Sequence, residues 1–310
     1  MTWVPVLTRR LAASAGLVVA SVSVAWLLVG VAPGVDAEDF GQLASADARA
    51  ADRAQAGLDQ APLPGLLAWW GRALRLDLGQ SVRYQRPVGP PVLERAANSG
   101  VLAMLALCLA VAIGLPLGVL SASGRGWRAT AVRTLSVLLL ALPPLVLAIF
   151  LSWAAVRSGF SSWTGWASAS PWLRDLLVAA AALALPLTAT FERLQSRAFA
   201  RVAGEPCLRS ARARGIPERQ VRWRHAWRLS LPPVAAVGGL IAGAVLRGAP
   251  AVEVVTAWPG LGRLAFDALV ARDAPLVAGC ALATALLVSA GALVSDLVAA
   301  WADPRLRARS

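Results

Sequence analysis

The chain has 310 residues, 57% of them apolar, a mean hydropathy of +0.62 and a formal charge of +13. Such a composition lies far from that of an ordinary soluble domain and describes a chain built for lipid. All thirty basic residues are arginine, and the missing lysine excludes a Walker A lysine, a Schiff-base lysine and nucleotide hydrolysis of the P-loop kind.

A membrane-spanning helix needs roughly 20 apolar residues. Six largely uncharged runs meet or approach that length, at 11–35, 96–124, 134–156, 176–191, 229–246 and 274–295. The fourth has only 16 residues, and Pro171-Trp172-Leu173 before Arg174 can extend it at the interface, where Trp and a snorkelling Arg are tolerated. The expected fold class is therefore all-α, a polytopic membrane protein with six transmembrane helices. Arg9 and Arg10 ahead of the first run also fit the start of a secretory signal; 25 uncharged residues exceed the apolar stretch of about 7 to 15 typical of such signals and suit a retained span. Cys108 and Cys280 fall inside expected spans and Cys207 in a basic loop, so the three cysteines read as small apolar filler, not as a disulfide framework.

Six spans place both termini on one side, and the charges then sort unevenly. That side receives eighteen of the thirty arginines and five of the seventeen acids, ten of those arginines within 192–230. The whole positive excess lies there, and the positive-inside rule assigns it to the cytoplasm. A bias of this kind orients a polytopic protein and needs no nucleic-acid partner.

In chain order, 1–35 is a cytoplasmic lead-in and first span, 36–95 an extracytoplasmic segment, and 96–310 a five-helix core with a cytoplasmic loop at 192–230. Within the second segment, Leu66, Trp69, Trp70, Ala73 and Leu74 recur at helical spacing and make one apolar face beside Arg72 and Arg75. That helix either lies along the membrane surface or forms the core of a small cap. Gly114 and Gly118 in the second span, and Gly239 and Gly243 in the fifth, have the spacing that lets helix backbones approach closely. Pro116, Pro143, Pro144 and Pro186 lie in or near the second to fourth spans, where they bend helices or are simply tolerated. No span carries an ionisable residue near its middle, which disfavours an ion-coupled carrier; Arg247 and Glu253 are the nearest exceptions.

The basic loop has readable punctuation. Gly204-Glu205-Pro206 suits a helix start and Gly215 a left-handed stop. Pro217 and Glu218 restart a helix that runs to an expected break at Pro232-Pro233, with Trp223 and Trp227 on one face. The short first helix, small at Ala211, Ala213 and Gly215 and followed by Ile216, makes a knob suited to a groove in a partner. His225, the sole histidine, has no companion ligands at metal-binding spacing and reads as structural.

Several segments carry a resemblance. They are Ala211-Arg212-Ala213-Arg214-Gly215-Ile216 with Arg224-His225-Ala226 and Leu231-Pro232; Asp77-Leu78-Gly79-Gln80-Ser81 with Pro87-Val88; Trp258-Pro259-Gly260-Leu261-Gly262-Arg263; and Arg272-Asp273 with Asp303-Pro304-Arg305. In order and placement the chain resembles the inner-membrane permease subunits of ATP-binding cassette importers for dipeptides, oligopeptides and nickel. It departs from their pattern at Pro206-Cys207, Leu229, Ala274, Arg247 and Pro250.

The resemblance implies a bacterial inner-membrane, multi-pass permease without catalysis or cofactor of its own. A second homologous permease subunit would complete the pathway in the lipid membrane, cytoplasmic ATP-binding subunits would drive it, and an extracytoplasmic substrate-binding protein would deliver cargo. Coupling to the ATPase would run through the loop around 205–217, with Arg209, Ala211, Arg212, Ala213, Gly215 and Ile216 as contact residues. Trp258, Pro259, Gly260, Gly262 and Arg263 would form an extracytoplasmic loop at the binding protein or the cavity mouth. The alternative is a membrane scaffold or a transporter not driven by ATP.

Overall fold

The computed structural model of the chain describes residues 4–31, 62–82, 84–124, 126–158 and 171–302. All regular structure among them is helical: α1 Val4–Val31, α2 Pro62–Ala73, α3 Gly89–Ser123, α4 Trp127–Ala141, α5 Pro144–Arg157, α6 Pro171–Val202, α7 Pro206–Ala213, α8 Glu218–Gln220, a π-helical turn Val221–Ala226, α9 Trp227–Val255, α10 Leu261–Val270 and α11 Ala274–Ala302. Four helices among the described residues are long and apolar enough to cross a membrane: Arg10–Val29, Gly89–Ser123, Trp172–Val202 and Ala274–Ser295. α9, 29 residues long, contains the fifth expected run, and the packing at Gly239 and Gly243 lies outside the described residues. The chain is thus an all-α polytopic membrane protein.

Two expectations are corrected. The third run does not form one straight helix, because α4 and α5 meet at a 104° bend. The cause is local. A residue before proline is pushed out of the helical region, and Leu142 before Pro143 is extended at φ −92°, ψ 119°. Pro143 is itself extended and Pro144 opens the next helix, where its missing N–H costs nothing. The fourth run, cut at residue 191 by the first charges, continues as helix to Val202, so the start of the expected loop 192–230 is a helix end. Charge marks where lipid stops being favourable; it does not stop a helix.

The chain divides into two compact units, Met1–Ser99 with Pro259–Leu287, and Gly100–Trp258 with Val288–Ser310. In the first, Trp69 of α2 is fully buried against Trp26 of α1, ring centroids 6.2 Å apart, and its indole N–H donates to the Leu78 carbonyl at 3.3 Å. The chain then turns through Gly79, at φ +85°, whose N–H donates to Asp77 Oδ1 at 2.9 Å. Ser81 closes the turn: its N–H donates to the Arg86 carbonyl and its hydroxyl to Asp273 Oδ2 at 2.5 Å. Asp273 is fully buried and caps α11, accepting the Leu276 N–H at 3.1 Å. Two of the family-like segments, 77–81 and 272–273, therefore meet. A second apolar cluster of this unit gathers Val88, Val92, Leu261, Leu264, Leu276 and Cys280.

In the second unit α6 is the central helix. Alanines 179, 180, 182 and 184 let α5 and α9 approach it, with Leu147, Ala148, Val245, Val252 and Trp258 in one core. α3 comes closer still at its small residues. A Cβ placed on Gly114 would stand 2.6 Å from the Thr188 carbonyl oxygen, and one on Gly118 would stand 2.6 Å from that of Glu192. Here the small-residue spacing read from the sequence is a backbone-to-backbone contact of α3 with α6.

Candidate coupling loop and the polar layer beside it

After α6 the chain turns at Ala203-Gly204, Glu205 is extended at φ −60°, ψ 141°, and Pro206 opens α7. Its end is a double closure. Gly215, at φ +76°, donates its N–H to the Arg212 carbonyl at 2.9 Å, and Ile216 donates to the Ala211 carbonyl at 3.2 Å. These are the two bonds of a Schellman stop, and the apolar contact that accompanies such a stop is present: Ile216 and Ala211 share a cluster. Pro217 then starts α8.

That cluster fixes what the loop offers outward. Leu208 and Ala211 are buried with Val119 of α3, Phe199 of α6, and Val221 and Ala226 of the π-helical turn, with Ile216 and Trp227 packed alongside. Arg209, Ser210, Arg212, Ala213, Arg214 and Gly215 are exposed. Ala211 thus faces its own chain, Ile216 is half-buried, and the outward surface is a basic rim around Ala213 and Gly215.

Arg212 grips Glu218 across the corner, Nε to Oε2 at 3.1 Å and Nη2 to Oε1 at 3.3 Å. The hydrogen bond from Arg212 lowers the Glu218 carboxyl below its ordinary value, and the same bond raises Arg212. Both side chains remain well exposed to solvent, so the pair contributes about 0–1 kcal/mol.

The helix after the corner does not break at Pro232-Pro233. It widens into a π-helical turn, Val221–Ala226, where the Trp227 N–H reaches the Arg222 carbonyl, and continues as α9 to Val255. Proline inside a span removes hydrogen bonds without ending the helix when neighbours take up the freed groups. Trp223 and Trp227 sit with ring centroids 5.6 Å apart.

Beside this apolar anchor lies a polar layer that sequence reading missed. The Ser121 hydroxyl of α3 donates to Glu192 Oε1 of α6, and Arg133 Nη2 of α4 donates to the Ser121 carbonyl. One turn along α6, Gln195 Nε2 donates to Ser230 Oγ of α9 at 2.8 Å, and Ser230 Oγ donates to the Trp227 carbonyl at 2.9 Å. Ser121, Glu192, Gln195 and Ser230 are all buried, and Gln195 Oε1 has no hydrogen-bond partner among the described residues. The signal is the Glu192-x-x-Gln195 pair on one helix face, which charge patterning alone places in the loop 192–230.

The loop 258–263 is built in two parts. Trp258 is fully buried in the core of its unit, against Trp172 at 5.2 Å between centroids, after a reversal through Ala257 at φ +58°. In the other unit, Asn98 Nδ2 donates to the Pro259 carbonyl at 2.9 Å and the Leu261 N–H is capped by Ser99 Oγ at 2.8 Å. Gly260 is buried, while Gly262 and Arg263 are half-buried. Trp258 and Gly260 are thus packing residues, and Gly262 and Arg263 keep access to the surface.

Comparison with known proteins gives this geometry a family. Residues 114–308 match the family described as binding-protein-dependent transport system inner membrane component. The chain is similar to a Brucella abortus (strain 2308) protein named a peptide transport system permease protein, 34% identical over 266 residues that cover 82% of this chain and 83% of that one. It is also similar to the oligopeptide transport system permease protein AppB of Bacillus subtilis, 30% identical across 81% of this chain and 82% of AppB. The glutathione transport system permease protein GsiC of Pectobacterium atrosepticum is 32% identical across 82% of this chain and 83% of its own. The chain belongs to the family of binding-protein-dependent transport system inner membrane components, and is a permease subunit of such a system.

Proposed function

We propose that this permease forms half of a translocation pathway for peptides or similar small solutes, and takes its driving force from a cytoplasmic ATPase through α7 and the Gly215 corner. The single observation that carries the reading is the division of labour in α7. Leu208, Ala211 and Ile216 anchor it to α3, α6 and the π-helical turn, while Arg209, Arg212, Ala213, Arg214 and Gly215 stand outward for a partner. A knob anchored this way passes a push on its outer face to the ends of the spans, tilting them between outward and inward access.

Six spans with both termini in the cytoplasm complete the topology, and the arginine excess supports that sidedness. A second permease subunit supplies the other half of the pathway, and an extracytoplasmic binding protein delivers cargo near Gly262 and Arg263. Peptide cargo rests on the names of the similar permeases. Their family membership also leaves the scaffold and ATP-independent readings without support.

The test is a charge on the outer face. Ala213→Glu alters no buried contact, so the permease accumulates normally while co-purification of the ATPase and uptake of labelled di- and oligopeptides fall at least tenfold. Intact co-purification and uptake would refute the coupling role. For sidedness, exposed Cys207 serves as a natural probe. A membrane-impermeant maleimide leaves it unmodified in intact cells and modifies it after permeabilisation; labelling of intact cells reverses the topology.

A further inference from the structure

α2 has two apolar faces, and the described residues cover only one. Its inner face, Leu66 and Trp69, is buried with Val22 and Trp26 of α1 and Ala274 and Ala278 of α11. Its outer face carries Leu63 and Leu67, about 40° apart on a helical wheel and bordered by Trp70. Leu74 follows in the turn just past the helix and is exposed, not on the buried face with Leu66 and Trp69 that the sequence spacing predicts. Leu67 is 71% exposed and Leu74 is 81% exposed. From 62 to 71 the sequence PLPGLLAWWG contains no polar side chain except the two indoles, and the indole of Trp69 already donates to Leu78. A helix apolar all round is stable only when something apolar covers every face.

The position of α2 indicates what that cover is. On α1 it meets Val22, Trp26 and Val29, the final turns of the membrane span Arg10–Val29. On α11 it meets Ala274 and Ala278, the first turns of the span Ala274–Ser295. From Val22 to Val29 a helix rises roughly 10 Å, so α2 is held against the outermost 10 Å or so of the spans, at the depth where acyl chains give way to headgroups. The neighbouring surface of α1 has the same character, with Val24 and Leu28 exposed on a span that is mostly uncovered by protein. Basic residues appear only where the helix ends: the Arg72 guanidinium folds back against the turn at Gly79, while Arg75 is exposed, free to reach lipid phosphates with its stem on apolar surface.

We infer that α2 is a membrane-embedded interfacial helix whose outer stripe, Leu63 and Leu67 with Leu74 just beyond the helix, is seated in phospholipid acyl chains, with Arg75 at the phosphate level. The site binds lipid and is separate from the coupling loop, and the inference stands whichever side of the membrane α2 occupies. It also gives the segment a function in transport: α2 pins the ends of α1 and α11 to the membrane plane.

The full-length permease, co-expressed with its partner subunits and placed in phosphatidylcholine nanodiscs, tests this directly. Cys108, Cys207 and Cys280 are replaced by alanine, and a single cysteine is introduced as Leu67→Cys or, as a water-facing reference, Gln80→Cys, each labelled with bimane. Lipid seating predicts that brominated phosphatidylcholine quenches the label at 67 several-fold more than the label at 80, and that aqueous iodide shows the opposite order. Equal iodide quenching at both positions overturns the inference. So does iodide quenching at 67 that disappears only when the binding protein is added, since the stripe would then be a protein docking face. Because Leu67 touches no buried cluster, the label leaves the fold intact. A second label at Leu74→Cys must behave as the one at 67, and iodide quenching there also counts against lipid seating.

Discussion

The turn at Asp77–Val88 and the layer around Glu192 both use buried polar groups, with opposite economy. At the turn, Ser81 and Asp273 satisfy one another while Asp273 also caps α11 and Asp77 accepts the Gly79 N–H. The layer joins α3, α4, α6 and α9 through single hydrogen bonds and leaves Gln195 Oε1 without a partner among the described residues. A fully satisfied cluster in low dielectric is a rigid clamp; a partly satisfied one costs stability and is retained where it selects register or permits rearrangement. The clamp sits in the unit that holds α2 and the start of α11, whereas the layer sits one turn from the residues anchoring the coupling loop. Rigidity at one place and exchangeable contacts at the other would suit the coupling proposed for α7.

The largest expected effect tests how tightly the layer is framed. Gly118→Ala puts a Cβ 2.6 Å from both the Glu192 carbonyl and Gln195 Cβ. The backbone there cannot yield as a side-chain tip can, so the variant loses about 3 kcal/mol of stability. Gly100→Ala in the same helix meets nothing within 4 Å. It gains about 0.5–1 kcal/mol by helix propensity. Thermal unfolding of the purified permease in detergent separates the two; equal melting temperatures would remove the close approach of α3 and α6.

Next in size is the clamp against the layer itself. Asp273→Ala removes a helix cap and takes the acceptor from the Ser81 O–H, whose oxygen still accepts the Tyr84 N–H, at a cost of about 2 kcal/mol. Gln195→Leu removes an unmet acceptor, and Ser230 keeps its bond to the Trp227 carbonyl, so its change stays within about 1 kcal/mol of zero. What Gln195→Leu should alter is peptide taken up per ATP hydrolysed in proteoliposomes, which falls while the melting temperature holds. If it destabilises as much as Asp273→Ala, the layer is a second clamp and the contrast collapses.

Much of this was legible in the chain. Apolar runs mark spans because lipid cannot satisfy a free peptide group, and Gly114-x-x-x-Gly118 announced a close contact because only hydrogen leaves backbones room to touch. Gly204-Glu205-Pro206 and Gly215 gave both ends of α7, since a missing N–H and a left-handed φ are local requirements. Tertiary features were illegible for the same reason. Ala211 and Ala213 look alike in sequence, yet one is buried on Phe199 and Leu208 and the other is exposed, a difference set by where α3 and α6 end. Hydropathy closed the fourth span at the charges near Glu192, which concealed that this carboxylate and Gln195 are core residues. The bend at Leu142 follows the rule that proline disfavours helical geometry in the residue before it, yet the same pair at Pro232-Pro233 stays inside α9, so packing decides which pair bends the chain.

The smallest effect belongs to the loop surface, where Arg212 and Glu218 close the Gly215 corner from outside. Arg212 holds the Glu218 carboxyl below its ordinary value, so the pair favours the closed corner at any pH above the ordinary carboxylate range. That contribution is lost as pH falls through the lowered value, when the folded carboxyl takes up its proton. With both partners solvated, Glu218→Gln costs no more than about 1 kcal/mol, and salt screens what there is. Buried Ala211 and the two Schellman hydrogen bonds hold the corner without it. Proteolysis at the arginines of 209–224 therefore quickens less than about fivefold in Glu218→Gln at neutral pH and low salt. At pH below the carboxylate range, or in molar salt, the variant and the parent chain become indistinguishable. A large acceleration that persists in high salt would mean that the ion pair, and not the apolar anchor beneath it, holds the corner in shape.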